Sequence, residues 1–325
     1  MIISRTPLRI SLAGGGSDLP AFWKREGGAV TSTTINKYIY ITVNPKFDNK
    51  IRASYSRTEI VDTVDELQHE LIREALRLLG ITGGIEITSI SDIPSQGSGL
   101  GSSSSYTVGL LNALYTYLGK HAGAKRLASE ACRIEIELCN KPIGKQDQYI
   151  GAFGGLQHIQ FNPDGSVFVD PVICKPETKR KLDEHLLLLY TGITRAADGI
   201  LAEQQDNLSQ ENNRRITRRM VNIARELRDA LTADDFMAVG ELLHAGWVEK
   251  RKLALGITNS RIDAWYETAR ALGALGGKIT GAGGRGFLLL FAPPERHGDI
   301  IAALPELRPV PFALEPQGSK IIYIE

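Results

Sequence analysis

Strand-like and helix-like patterning is segregated along this chain rather than alternating, and that segregation limits the fold more than any other feature. The first sixty residues read as strands over Ile2 to Arg5, Arg9 to Ala13 and Ala29 to Thr34, and then alternate Tyr38, Tyr40 and Thr42 with Ile39, Ile41 and Val43. From Arg195 to Leu272 the pattern is almost wholly helical, and strands return at Gly286 to Phe291, Val310 to Ala313 and Lys320 to Ile324. A doubly wound sheet needs the two in alternation, so an α+β fold is expected. In between, Glu70 to Leu79 reads as a helix closed by Gly80, and Ile85 to Ile90 as a strand. Two amphipathic helices follow: Ser103 to Leu118, with Val108, Leu111, Leu114, Tyr115 and Leu118 on one face, and Ala124 to Cys139, with Leu127, Ala131, Ile134 and Leu138. The turn Asn162-Pro163-Asp164-Gly165 joins Leu156 to Phe161 with Ser166 to Asp170 as a hairpin. A linker zone through Cys174-Lys175-Pro176 suggests two domains, 1–175 and 176–325, with the boundary between Pro171 and Glu184.

Charge and cysteine usage exclude several classes. With 38 basic and 37 acidic side chains the net charge is +1, which offers no electrostatic case for nucleic acid. The longest apolar runs, Phe287 to Ala292 and Leu186 to Tyr190, are far short of the ~20 residues a membrane span needs. No basic-then-apolar segment opens the chain, so no membrane partner and a cytoplasmic location are expected. Cys132, Cys139 and Cys174 form no CxxC pair, which argues against a disulfide framework or structural zinc; Cys132 and Cys139 read as core residues on one helix face. The cluster Arg214, Arg215, Arg218 and Arg219 reads as one solvated helix face.

Three glycine-rich segments carry the chemistry. None is a Walker loop: the lysines that follow glycine, Lys120, Lys145 and Lys278, lack the earlier glycine and the following Ser/Thr. Gly281, Gly283 and Gly286 spell GxGxxG, yet the run leads into the strand-like Phe287 to Phe291, whereas a dinucleotide fingerprint opens a helix. HRD, DFG, HExxH and GxSxG are all missing, and the histidines (His69, His121, His158, His185, His244, His297) are scattered and read as structural or surface residues. The most informative stretch is Pro94-Ser95-Gln96-Gly97-Ser98-Gly99-Leu100-Gly101-Ser102-Ser103-Ser104-Ser105. Its glycines let backbone approach a ligand, the helix that follows offers free N–H groups to an anion, and the serines add hydroxyls for phosphate or magnesium.

Together with Pro7-Leu8-Arg9-Ile10-Ser11-Leu12-Ala13-Gly14-Gly15-Gly16-Ser17-Asp18 and Gly277-Lys278-Ile279-Thr280-Gly281-Ala282-Gly283-Gly284, this loop resembles the three motifs of the GHMP kinases, in the family's order. Arg285 departs from the pattern, standing where the family usually has another glycine. Gly144-Lys145-Gln146-Asp147-Gln148-Tyr149 and Tyr190-Thr191-Gly192-Ile193-Thr194-Arg195 look like the sugar branch that phosphorylates a manno-heptose 7-phosphate at its anomeric oxygen.

The resemblance implies a mixed α/β N-terminal domain and a ferredoxin-like C-terminal domain with extra helices, holding ATP, Mg2+ and a small sugar phosphate between them. It implies Gly97, Gly99, Gly101, Ser102, Ser103 and Ser104 at the nucleotide, and Ser103 with Glu135 at the metal, Glu137 being the nearby alternative. Asp147 matches the general base and Arg9 the cation beside it. Gly15, Gly16, Ser17, Asp18, Lys145, Arg195, Gly281 and Gly283 are expected around the substrate, with Arg195 the leading candidate for its remote phosphate and Lys145 and Lys175 weaker ones. The expected activity is ATP-dependent phosphorylation of the heptose at C1, on a route to nucleotide-activated heptose. The alternatives are another anomeric sugar kinase, for fucose, galactose, mannose or a hexosamine, and a sensor of the same fold without turnover.

Overall fold

The computed structural model describes residues 1–93, 98–193 and 198–325. Its first half runs β1 (Ile2–Ala13), α1 (Pro20–Glu26), β2 (Gly28–Pro45), β3 (Ile51–Ser54), β4 (Thr58–Val61), α2 (Glu70–Leu79), β5 (Ile85–Ser91), α3 (Ser102–Tyr117) and α4 (Ala124–Cys132). α4 continues as a π-helical turn over Arg133–Leu138, followed by α5 (Gln146–Phe153), β6 (Leu156–Phe161) and β7 (Val167–Pro171). The second half holds α6 (Pro176–His185), β8 (Leu186–Tyr190), α7 (Asp198–Asn207), α8 (Glu211–Thr232), α9 (Phe236–Lys250) and α10 (Ser260–Ala271). It closes with β9 (Gly276–Ile279), β10 (Phe287–Phe291), α11 (His297–Ala303), β11 (Arg308–Pro309) and β12 (Lys320–Ile324).

The larger sheet has eight strands in the order β12-β1-β2-β5-β3-β4, with β6 pairing β2 and β7 pairing β6. The smaller one is antiparallel in the order β11-β8-β10-β9. The α+β expectation is met. Two strands expected at either side of Pro7 are one continuous β1. Proline cannot donate to the ladder, and the register with β2 shifts between Pro7 and Leu8 instead of breaking. The C-terminal strand departs from the division at residue 175: β12 crosses back and pairs antiparallel with β1, Ile2 opposite Ile324. The strand expected at Val310 to Ala313 is not one; Arg308–Pro309, just before it, is strand instead.

β8 shows how the halves are joined. Its leucines alternate between two cores: Leu186 and Leu188 pack into the cluster under the large sheet, and Leu187 and Leu189 into one with Trp247, Trp265 and Tyr266. A strand covered on both faces reads as a continuous apolar run, as this one does. Arg215, Arg218 and Arg219 of α8 are exposed as expected, Arg214 less so, and the face is also paired: Arg214 and Arg218 meet Glu26 and Glu211, and Arg219 meets Glu226. No helix among the described residues is long and apolar enough to cross a membrane.

Candidate active site

A cavity of about 880 Å³ opens where β1, the start of α3, the start of α5 and the loop after β9 converge. Its floor is the N-terminus of α3. Gly101 precedes that helix with φ of +76°, and a Cβ there would lie 3.1 Å from Arg9 Cγ and 3.3 Å from Asp147 Oδ2. Glycine therefore supplies both the left-handed turn and the close approach. The first bond of the turn runs from Ser105 N to the Gly101 carbonyl, and Ser102, Ser103 and Ser104 line the cavity ahead of it. The orphan amides of a helix start are thereby presented to the cavity. The loop after β9 braces this floor: Gly281, at φ +64°, lies where a Cβ would come 2.5 Å from Gly99 Cα, and Thr280 Oγ1 donates to the Ser98 carbonyl at 3.2 Å.

Arg9 and Asp147 form the central pair. Arg9 is 4% exposed in mid-β1, and its Nε and Nη2 donate to the two carboxylate oxygens of Asp147 at 2.7 and 2.6 Å. Its third nitrogen, Nη1, donates to the Gly99 carbonyl at 2.7 Å, so one side chain ties the base of α5 to the loop before α3. Two parallel charge-assisted bonds hold the carboxylate in one orientation.

A second acid sits behind the serines. Glu135 is fully buried, accepting from Ser103 Oγ at 2.6 Å and from Gln148 Nε2 at 2.6 Å. Burial pushes its carboxyl up to about 7, against the lowering effect of the hydrogen bonds from Ser103, Ser104 and Gln148. Glu135 continues the buried Leu127, Ala131 stripe at i+8, and a π-turn then breaks the 3.6-residue spacing: Cys139 N bonds the Ile134 carbonyl, an i to i+5 step. Leu138, expected on the buried face, is 41% exposed, Glu137 is exposed, and Cys139 is only half-buried while Cys132 is buried.

Asp18 completes the acidic side. It accepts from Gly16 N at 2.9 Å, Gln146 N at 3.2 Å and Gln146 Nε2 at 3.2 Å, and burial, then Asp147, raises its carboxyl above the usual range. Facing it are residues from the helical half: Gln204 of α7, Lys250 at the end of α9, and Arg285. Lys250 is 5% exposed, its ammonium donates to the Gly281 carbonyl, and burial, then Arg9, pulls it down to about 8. Behind it lies Lys278, also buried, which donates to the Leu12 carbonyl at 3.2 Å and is held well below the usual lysine range by burial and by Lys250. At the other end of the cavity stand Tyr55, His69 and Leu71, with the Tyr55 and His69 rings edge-on at 4.5 Å.

The chain matches the family model "GHMP kinases N terminal domain" over residues 63–155 and "GHMP kinases C terminal" over 227–307, together more than half its length. It belongs to the GHMP kinases. Among its relatives is the D-glycero-alpha-D-manno-heptose 7-phosphate kinase of Campylobacter jejuni, 29% identical over 93% of each chain. The L-fucokinase/L-fucose-1-P guanylyltransferase of Bacteroides fragilis is 29% identical over 96% of this chain and 37% of its own. A solved D-glycero-D-manno-heptose 1-phosphate kinase from Bacteroides thetaiotaomicron superposes with a TM-score of 0.84 at 25% identity, covering all of both chains. GHMP kinases take their phosphoryl group from ATP, and these relatives make the chain an ATP-dependent sugar kinase.

Within this GHMP kinase, Arg9, Gly15, Gly16, Asp18, Gly99, Gly101, Ser102, Ser103, Ser104, Asp147 and Gly281 all line the cavity, and Glu135 bonds Ser103 from behind. Others do not reach it. Ser17 turns inward, its hydroxyl shared between the Gly14 and Ala29 carbonyls at 2.8 and 3.0 Å. Lys145 lies 3.9 Å over the Trp23 ring instead of in the cavity, and Gly283 packs against Ile257. Lys175 caps α6, away from the cavity lining. Gly97 and Arg195 lie outside the described residues. Arg285, the departure from the glycine pattern, is 5% exposed and lines the cavity without displacing Gly281 from Gly99. Lys250 and Gln204 were not expected from the sequence. A signal existed for Lys250: Leu243, Trp247 and Lys250 follow i, i+4, i+7 spacing, so a lysine stands on the buried stripe of α9. His69, read as structural or surface, caps α2 and also lines the cavity.

Proposed function

We propose that the enzyme phosphorylates D-glycero-α-D-manno-heptose 7-phosphate at C1 to the 1,7-bisphosphate, with ATP and magnesium, as a step toward nucleotide-activated heptose. Two relatives are named for heptose phosphates. The observation that carries the chemistry is the bidentate Arg9–Asp147 pair set against Gly101 at the head of α3. Asp147 accepts the proton of the attacking hydroxyl, and the two bonds from Arg9 hold the carboxylate aimed. The amides and serines at the start of α3 bind phosphate oxygens. Asp18 accepts from sugar hydroxyls beside the open backbone of Gly15 and Gly16. The wall of Tyr55, His69 and Leu71 suits a nucleotide base.

Magnesium fits the donor set. Ser103 Oγ on the cavity lining and the Glu135 carboxylate bonded behind it are hard oxygen donors, and no cluster of three acidic, histidine or cysteine ligands occurs among the described residues. Few protein ligands plus phosphate oxygens is the usual arrangement for this ion. When bound it would neutralise charge on the phosphate chain, and Ser103 and Glu135 would hold it. Arg195 remains the candidate for the substrate's own phosphate.

The test is a panel of manno-heptose 7-phosphate, free manno-heptose, fucose and galactose with ATP, the products resolved by 31P NMR. A new anomeric phosphate on the heptose 7-phosphate, at a kcat/KM well above the free sugars, is the expected result. Equal use of free manno-heptose, or preference for fucose or galactose, would overturn the heptose 7-phosphate assignment.

A further inference from the structure

Lys250 has no part in the chemistry described above, yet its position is costly to maintain. It ends α9 on the stripe of Leu243 and Trp247, where packing calls for an apolar residue. An ammonium taken out of water destabilises the fold unless it is paired and hydrogen-bonded. Among the described residues the Lys250 side chain makes one hydrogen bond, to the Gly281 carbonyl, and no ion pair. Two of its three N–H donors are left over. Lys278, buried behind it, and Arg9 add like charge, which Asp18 and Asp147 across the cavity offset only in part.

Its neighbours specify where those donors point. Gly281 rests on Gly99, the Gly99 carbonyl takes the third nitrogen of Arg9, and Arg9 holds Asp147. Lys250 therefore stands where the loop before α3, the loop after β9 and the Arg9–Asp147 pair meet, on the wall opposite Asp18. We infer that Lys250 is a further catalytic residue, binding an oxygen of the phosphoryl group in transfer. The inference rests on the kinase reading proposed above. In the step, the sugar hydroxyl oxygen bonds to the γ-phosphorus as the bond from that phosphorus to the bridging oxygen breaks. The bond's electron pair leaves with ADP, and the hydroxyl proton passes to Asp147. Lys250 donates N–H bonds to the equatorial oxygens and transfers no proton. The cation costs stability in the resting enzyme and matches charge that is present only when the phosphate chain is bound.

The experiment compares wild type with Lys250→Met, Lys250→Gln and Lys250→Arg in the full chain, each checked for folding by thermal unfolding. The first arm measures binding of magnesium and ADP with and without beryllium fluoride, a mimic of the γ-phosphoryl group, by calorimetry. Wild type is expected to bind ADP with beryllium fluoride much more tightly than ADP alone. Lys250→Met and Lys250→Gln lose that gain with ADP affinity unchanged, and Lys250→Arg keeps part of it. The second arm measures turnover of heptose 7-phosphate and of free manno-heptose. For either sugar, kcat is expected to fall about 100-fold in Lys250→Met, as for loss of one charge-stabilising donor, while the sugar KM stays within about threefold.

Lys250→Gln can still donate to the Gly281 carbonyl, so wild-type behaviour in it would reduce Lys250 to a brace for that loop and overturn the inference. A loss confined to the phosphorylated sugar, with the beryllium fluoride gain intact, would assign Lys250 to the substrate's own phosphate and overturn it too. The first arm uses no sugar. It decides the role of Lys250 even where the sugar panel rejects the heptose assignment.

Discussion

On the sheet side of the cavity every acid meets a partner within the fold: Asp147 has Arg9, Glu135 has Ser103 and Gln148, and Asp18 has Gly16 and Gln146. On the helical side Lys250 spends one of its donors on a carbonyl, and Gln204, 2% exposed, keeps its Nε2 buried without a partner among the described residues. The carboxylates of the first wall are tied down before any ligand arrives, although Ser11 Oγ and Gln146 Oε1 there stay unbonded among the described residues. The second wall presents its unbonded donors on a lysine and an amide, which a ligand can take up. A buried donor left unpaired costs roughly 1–3 kcal/mol, whereas a paired one costs little and locks its neighbours. Truncation on the sheet side is therefore expected to remove catalysis, and apolar replacement on the helical side to stabilise the free enzyme while weakening its hold on the sugar, at Gln204, or on the phosphoryl group in transfer, at Lys250.

The largest effect is expected for Asp147→Asn, which keeps the shape of the pair but cannot take a proton. Rapid-quench turnover should show kcat lower by about 10²–10⁴, with sugar KM changed far less. A near-normal kcat would mean that the hydroxyl attacks without this acceptor, and the sheet-side wall would be a positioning device only. Next is Glu135→Gln. Titrating activity against magnesium should show an affinity loss on the order of 10–100-fold, as for disrupted metal shells generally. Rescue of kcat at high magnesium would sharpen the assignment, and an unchanged magnesium midpoint would remove Glu135 from the metal site.

Gln204→Leu should be milder. Sugar KM is expected to rise by about tenfold through loss of one hydrogen bond, with kcat retained, while Tm of the ligand-free enzyme rises. A fall in both Tm and kcat would break the contrast between the walls.

The smallest effect concerns the seam behind them. His158 of β6 is buried, its Nδ1 bonded to Thr31 Oγ1 at 3.0 Å, and that hydroxyl donates to the Ala224 carbonyl of α8. Burial, then Arg228 and Arg225, pulls the imidazole down to about 4 from 6.5. The unfolded chain thus binds the proton first as pH falls. Stability associated with the neutral ring is present above pH 6.5 and lost between there and pH 4, amounting to about 1–2 kcal/mol at pH 5. Thermal unfolding at pH 7 and pH 5 should show a Tm drop of a few degrees that shrinks in His158→Gln. An equal drop in the variant would place the acid sensitivity elsewhere.

What was legible from sequence alone is what local spacing encodes. Segregated periodicities announced an α+β fold, and glycines at turns before a helix announced the phosphate loop, because both depend on residues a few positions apart. The Arg9–Asp147 pairing was read only through motif resemblance, since 138 residues separate its members. Tertiary structure decided the rest. A π-turn, invisible in a pattern that fits 3.6 residues per turn, left Leu138 outside although spacing put it on the face that buries Ala131 and Glu135. The indole of Trp23 drew Lys145 away from the cavity that its motif suggested. β12 returned to the first sheet because an edge strand with free hydrogen-bonding groups pairs with whatever strand the fold brings beside it. Lys250 became part of the cavity wall only because α9 packs its apolar stripe under the loop after β9, and the burial that sets its chemistry is a property of that packing, not of the lysine or its neighbours in sequence.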